Sequence, residues 1–467
     1  MTVHPPRASD ARVRRLAATL YGYAFLSELV LLYPLYALLF SDTGLSVWQI
    51  SSLFVIWSAA SILLEVPSGA FADAVSRRLL LSLAPVLTAA GFALWVLVPS
   101  YPAFAVGFVL WGAGGALASG ALEALVFTEL DRLGAAGRYA RVIGRAKTAG
   151  TIGVLASILL AGPVFAVGGY PAVGVASVLA CLLAAAVATR LPEHRRPETA
   201  DLDAAPVRAD ADSVRADAAP ADLDAAPAFA VGDGGPDGTG RDGGPERTGH
   251  DGGADDDDED LGWWASLRAG LAEVRADRTV RAAVLLVAVV AAVWGALDEY
   301  TPLLARDTGV GEATVPLLLL LTWLGVAVGG LLAPAGERLT ARGYAGLLAL
   351  SALALVAGAL SARPAGFALV AAAFCGFQLA TVLADARLQA RITGGSRATV
   401  TSLAGMATDV TVIAVYGGYG LLATGAGNPV AFAVAAVPYL IVALLLVTRV
   451  GRSARRTPAR TTAGRAG

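Results

Sequence analysis

The residues with most chemistry to offer are carboxylates set inside apolar runs. Glu28 and Asp409 lie near the middle of such runs, and Asp298 and Glu299 lie one to two turns from the end of another. Glu65, Glu123 and Asp385 lie within two turns of the ends of further runs. An ionised carboxylate is costly in a low-dielectric surround, so such a group faces a hydrated path, binds a proton or cation, or pairs with a base. Glu28, or Asp298 with Glu299, is therefore expected to bind a proton or a cationic solute. The plainer alternative is a structural ion pair, for which Glu123 with Arg145 is the candidate. Little else is equipped for reaction chemistry. There is no G-x-x-x-x-G-K-[ST] loop, since Lys147-Thr148 follows Ala146, and no G-x-S-x-G or H-E-x-x-H. Cys181 and Cys375 lie in apolar runs, whereas His4, His194 and His250 lie outside them. No enzyme activity, cofactor, metal or nucleic-acid partner is expected.

The apolar runs are the elements that must position these carboxylates. Of the 467 residues, 56% are hydrophobic and 15% charged, with a mean hydropathy of +0.64, so too little charge is present to coat a soluble surface. The apolar residues form blocks of about 20, the length that crosses a hydrocarbon core as a helix. Twelve spans are read at 16–40, 46–68, 79–99, 102–129, 141–166, 171–190, 281–305, 312–335, 343–361, 364–389, 398–424 and 429–448. The first is too long for a signal-peptide core and is read as a retained helix. Arginines recur in alternate gaps: Arg77 and Arg78, Arg132 and Arg138, Arg338 and Arg342, Arg391 and Arg397, with both tails arginine-bearing. Basic loops stay cytoplasmic, so both termini are expected inside a cytoplasmic membrane.

Residues 191–260 differ in kind. They carry ADLDAAP at 200–206 and again at 221–227, a Gly/Asp repeat over 233–250, and an acidic run from Asp255 to Asp260. Such a segment cannot bury enough apolar surface to order itself and is expected to be a disordered cytoplasmic linker. The division is thus a six-helix bundle over 1–190, the linker over 191–260, a second unit over 261–448, and a basic tail over 449–467. The second unit opens with Trp263, Trp264, Leu267 and Leu271 at helical spacing, suiting a short amphipathic surface helix.

The halves resemble each other. Span one exits through Ser41-Asp42-Thr43-Gly44-Leu45 and span seven through Arg306-Asp307-Thr308-Gly309-Val310. Gly69 precedes Arg77 by eight positions, as Gly330 precedes Arg338. Parallel six-helix repeats imply a pseudo-twofold axis along the membrane normal with the pathway between them.

Between spans two and three stands Glu65-Val66-Pro67-Ser68-Gly69-Ala70-Phe71-Ala72-Asp73, continuing to Arg77 and Arg78. Gly69 permits close helix approach, and Asp73 near a helix end can pair with a base or accept from a helix N-terminus. This segment resembles the cytoplasmic loop signature of the major facilitator superfamily, with Ala74 and Ser76 in place of its usual basic residue and glycine. In the second half Pro334 stands at the aspartate position. The resemblance implies an all-α fold of twelve transmembrane helices in two halves, with Gly69, Asp73, Arg77 and Arg78 as a conformational-switch loop. It also implies that spans one, four, seven and ten line the cavity, which favours Glu28, Glu123, Asp298, Glu299 and Asp385, with Asp409 as a further pathway candidate. The fourth-span arginine associated with proton transfer is absent, that region reading Leu110-Trp111-Gly112-Ala113-Gly114-Gly115. The expected activity is secondary transport of a small solute, read as proton-coupled efflux resembling drug exporters, by a monomer whose partners are solute, protons and bilayer. Two alternatives stand beside it: a passive uniporter or importer of the same fold, and a non-transporting receptor or scaffold working through its linker.

Overall fold

A computed structural model describes residues 7–194, 277–392 and 397–456, and side chains within them except 7–9, 66–74, 397–399 and 449–456. Of the expected linker only residues 191–194 are described; the rest of it and the expected amphipathic helix lie outside these residues. All regular structure among the described residues is helical. In the first half the helices are α1 (Arg7–Glu28), α2 (Tyr36–Asp42), α3 (Val47–Ala74), α4 (Arg77–Leu97), α5 (Tyr101–Arg132) and α6 (Tyr139–Ala188). The second half contains α7 (Arg278–Asp298), α8 (Thr301–Asp307), α9 (Val315–Leu331), α10 (Ala333–Gly336), α11 (Ala341–Leu360), α12 (Phe367–Gln389), α13 (Arg397–Ala426), α14 (Asn428–Ala435) and α15 (Val437–Arg456).

Among the described residues ten helical stretches are long and apolar enough to cross a membrane. One of them, residues 136–188, is two passes. At about 1.5 Å per residue it would be roughly 80 Å long if straight, far beyond a hydrocarbon core of about 30 Å. It folds back at Gly168 and Gly169, where Gly169 takes φ 60°, a left-handed conformation that only glycine adopts cheaply. The reversal is visible in what the two arms touch: Gly153 and Ser177 both contact the stretch of chain from Phe25 to Leu32. The remaining pass is the first, which is not the continuous helix read from the sequence. It breaks after Glu28, runs through turns, and resumes as α2. Pro34 offers no amide donor there, and the Leu32 amide donates to Ser177 Oγ at 3.0 Å instead of to its own helix. The count is therefore twelve, in two halves of six.

The repeated exit motif has a conformational cause. α2 and α8 are each seven residues long and end on the aspartate of Asp-Thr-Gly. Gly44 (φ 88°) and Gly309 (φ 82°) then take the left-handed conformation that terminates a helix. Other ends use ordinary caps: Ser76 accepts from the Leu79 amide at 3.1 Å, and Thr340 accepts from the Gly343 amide at 3.2 Å. Asp277 accepts from the Thr279 amide and hydroxyl at 2.6 Å each, which holds its carboxyl below the ordinary carboxylate range.

Packing rests on small residues and tethered aromatics. On α9, Gly325 and Gly329 lie against α12, where a Cβ would meet Ala371 O at 2.3 Å and Cys375 O at 2.2 Å. Such G-x-x-x-G faces let backbones approach closely where no hydrophobic force distinguishes helix from lipid. Buried polar aromatics find carbonyls, as an apolar surround requires: Trp95 Nε1 donates to Phe104 O at 3.1 Å and Tyr439 Oη to Val290 O at 3.1 Å.

Candidate functional site

The face on which α1 begins and α3 ends is here the tail face. On the face away from it the two halves are joined. The Arg306 guanidinium donates to Asp42 Oδ1 at 2.7 Å and also to the Ser41 hydroxyl, while Tyr170 donates to the other Asp42 oxygen at 2.5 Å. Ser51 and Tyr300 hydroxyls, both buried, hydrogen-bond at 2.7 Å, and Phe54 packs on Tyr300 and Tyr416 with ring centroids 5.3 Å from each. A Cβ on Gly420 would lie 2.6 Å from Ser51 Oγ, and one on Gly162 would lie 2.4 Å from Ala313 O. These contacts leave no room for a solute between the halves at this level.

Below this seal lies a cavity of about 500 Å³, lined from both halves. α3 contributes Trp57, Ser58, Ser61, Ile62 and Glu65; α7 contributes Gly295 and, at its end, Glu299; α13 contributes Asp409, Val412 and Tyr416. Each helix offers one face, the residues recurring three or four apart. Exposure rises along the cavity: Tyr416 is 3% exposed, Trp57 and Glu299 are half-buried, and Glu65 and Asp409 are exposed. Glu65 stands 18 residues into α3, so the open end points toward the tail face. Glu65 and Asp409 line the same cavity from opposite halves. Among the described residues no lysine or arginine lines the cavity. Trp57 and Tyr416 supply its aromatic lining, Trp57 being backed by Trp111, stacked at 4.8 Å.

The carboxylates expected from the sequence are thus divided. Glu299 and Asp409 share the cavity. Asp298 ends α7 beside it, half-buried, with its carbonyl accepting from the Thr301 hydroxyl at 2.6 Å. Glu28 ends α1 and packs on α6, where a Cβ on Gly153 would sit 3.2 Å from Glu28 Cβ. Glu123 and Asp385 are exposed and do not line the cavity, whose residues come from spans two, seven and eleven rather than one, four, seven and ten. Glu123 and Arg145 form no ion pair: both are exposed, and α6 packs along α1 and α4 rather than along α5. Of the switch loop, Gly69 and Asp73 fall in the last turns of α3, and their side chains lie outside the described residues. Arg77 donates to Thr128 Oγ1 at 3.0 Å and Ala124 O at 3.3 Å, tying α4 to α5. The amides of Arg77 and Arg78 donate to Glu193 at 2.8 and 3.4 Å, a carboxylate on a helix N-terminus.

Sequence reasoning gave Glu65 less weight and passed over Trp57, although Ser58, Ser61 and Glu65 form a polar stripe at helical spacing. It used Asp42 and Arg306 only as marks of the repeat.

Two six-helix bundles packed about a polar cavity that both halves line define a membrane transporter as the class of protein. The profile of the Major Facilitator Superfamily matches residues 17–413, and the chain belongs to that family. No curated protein sequence matches the chain. Among solved structures it is similar to a bacterial homologue of the human lysosomal transporter Spinster in an inward-facing, unoccupied conformation, with TM-score 0.61, 14% identity and 96% of each chain covered. It is also similar to the nucleoside transporter NupG, with TM-score 0.65, 10% identity, and 93% of this chain and 99% of that one covered. A D-xylose–proton symporter matches with TM-score 0.57, 15% identity, and 94% of this chain and 96% of that one covered. At these identities the likeness concerns the fold.

Proposed function

We propose that the chain exports a small cationic solute across the cytoplasmic membrane in exchange for protons, by alternating access. The observation that carries this reading is the cavity wall: Glu65, Glu299 and Asp409 beside Trp57 and Tyr416, with no basic residue among the described lining. A cation there gains charge-assisted contacts and an aromatic surface. When it leaves, the carboxylates left facing one another around the cavity repel, and taking up protons relieves that repulsion, which couples the two fluxes. The tail face, rich in arginine, is the cytoplasmic one in this reading, so the open cavity loads from inside. Glu28 and Asp298, at the breaks of spans one and seven, serve as further proton sites in the same pathway. Gly69, Asp73, Arg77 and Arg78 act as the tail-face switch. Both halves of one copy build the cavity, so a monomer suffices, and residues 191–260 act as a tether.

The test is transport of tetraphenylphosphonium, a lipophilic monocation, in vesicles holding the purified full chain. Loss of one charged partner costs about 1.5–3 kcal/mol, so Glu299→Gln and Asp409→Asn should each weaken cation affinity by roughly 10–100-fold. An imposed pH gradient should drive cation movement uphill, and deletion of residues 200–255 should leave the rate unchanged. Cation movement indifferent to the pH gradient would reject proton exchange, and affinity unchanged in both variants would reject the cavity as its site.

A further inference from the structure

A second cavity, of about 310 Å³, lies at the tail-face rim of the first half, away from the solute pathway. Arg12, Arg15, Arg132 and Arg190 line it, over a floor that includes Leu16, Leu133 and Pro192. Arg12 and Arg15 come from the early turns of α1, Arg132 is the last residue of α5, and Arg190 follows the end of α6. Three passes thus leave the apolar zone at one place, each delivering guanidinium to it.

Among the described residues none of these four arginines has a carboxylate partner. The one acid lining the cavity, Glu129, is 3% exposed and already engaged, accepting from the His194 amide at 2.8 Å and meeting its Nδ1 at 3.0 Å. Arg138 on the same face, by contrast, pairs with Asp10 at 2.9 Å. The four exposed guanidinium groups outnumber the single carboxylate of Glu129, so the recess keeps a net positive charge that attracts an anion. Guanidinium groups match phosphate oxygens bidentately, and a basic recess between helices at the membrane surface with an apolar floor suits a charged headgroup whose chains remain in the bilayer.

We infer that this recess is a binding site for the phosphate of an anionic phospholipid headgroup. The site stands apart from the solute cavity and does not depend on the transport reading.

The test is native mass spectrometry of the full chain in detergent, titrated with phosphatidylglycerol, phosphatidylcholine or free glycerol 3-phosphate. Wild-type protein should retain phosphatidylglycerol and not phosphatidylcholine. Each surface arginine contributes about fivefold to affinity for an anionic lipid, so replacing all four with glutamine should weaken retention on the order of 500-fold. The pair Arg132→Gln with Arg190→Gln should lose about 30-fold, and its melting midpoint in lipid-free detergent, unchanged from wild type, guards against misfolding. Arg138→Gln should bind as wild type does. Equal retention of both lipids, or full retention by the double variant, overturns the site. Competition by glycerol 3-phosphate at the lipid's own concentration overturns the lipid as the source and assigns the recess to a soluble phosphate.

Discussion

Replacing Arg306 with glutamine should shift the protein toward the state that is open on the face away from the tails. Arg306 and Asp42 are 32% and 33% exposed, between a solvated pair and a buried one. Two unit charges 4 Å apart attract by about 4 kcal/mol at an effective dielectric near 20. Exposed pairs return only about 0.2–1 kcal/mol after desolvation and side-chain ordering. A hydrogen bond to a charged group returns about 1.5–3 kcal/mol. The Ser41 and Tyr170 contacts hold both partners in place before they meet, so the net share of the latch is about 1.5–2 kcal/mol. All of it is lost when the halves part on this face, and the equilibrium between states should move by roughly 10–30-fold. Spin labels at Ala140 and Ala390, exposed positions on the tail face of either half, would report the change in a chain whose Cys181 and Cys375 have been replaced. Wild type should show mainly the long separation, and Arg306→Gln should raise the short-separation population by the stated factor. The exchange Asp42→Arg with Arg306→Asp should restore part of the wild-type distribution, since Tyr170 loses its acceptor. A change below about threefold in the single variant would refute the latch, because surface pairs alone account for that much.

Gly162→Val should push α6 off Ala313 O and move the same distance distribution in the same direction as Arg306→Gln; a distribution identical to wild type would show that the halves do not bear on each other there. Gly329→Ala should cost about 1–3 kcal/mol in a detergent melt, since its Cβ has backbone 2.2 Å away, whereas Gly330→Ala, whose nearest neighbour is 4.0 Å off, should melt as wild type does. Tyr36→Phe should leave the melting point unchanged or raise it by up to about 1 kcal/mol in stability, because the buried Tyr36 hydroxyl has no hydrogen-bond partner; a drop would reveal one.

How much of this was legible depended on whether a feature is written along one helix or between several. Span positions were readable because bilayer thickness demands a long apolar run, and the run is local. The fold of residues 136–188 into two passes was readable for the same reason, with Gly168-Gly169 as its visible mark. The break in span one was harder. Pro34 lies well after the helix stops, and what ends α1 is a hydrogen bond from Leu32 to Ser177, a partner 145 residues away. Cavity membership was harder still. Whether Glu28 or Glu65 faces the space between the halves turns on the rotation of each helix about its axis, which the packing of neighbouring glycines decides. Gly150 and Gly153 draw Glu28 against α6, while nothing of that kind covers the stripe from Trp57 to Glu65.

The repeated Asp-Thr-Gly shows where symmetry informs and where it misleads. Its glycines do the same thing in both halves, because a left-handed helix end is a property of the local chain. Its aspartates do not. Asp307 accepts from Asn428 Nδ2 at 2.9 Å, and Asn428 in turn accepts from Tyr419 at 2.9 Å, so that carboxylate is spent within its own half. Asp42 reaches across to Arg306. The residue preceding the motif makes the difference, serine in the first half and arginine in the second. A hydroxyl on one side and a guanidinium on the other can join, whereas two serines would supply no charge and two arginines would repel. The repeat builds two matching helix ends, and a departure from the repeat by one residue turns them into a closure. The pseudo-equivalent positions that differ in charge are therefore where a carrier of this design should be searched for the contacts that distinguish its states.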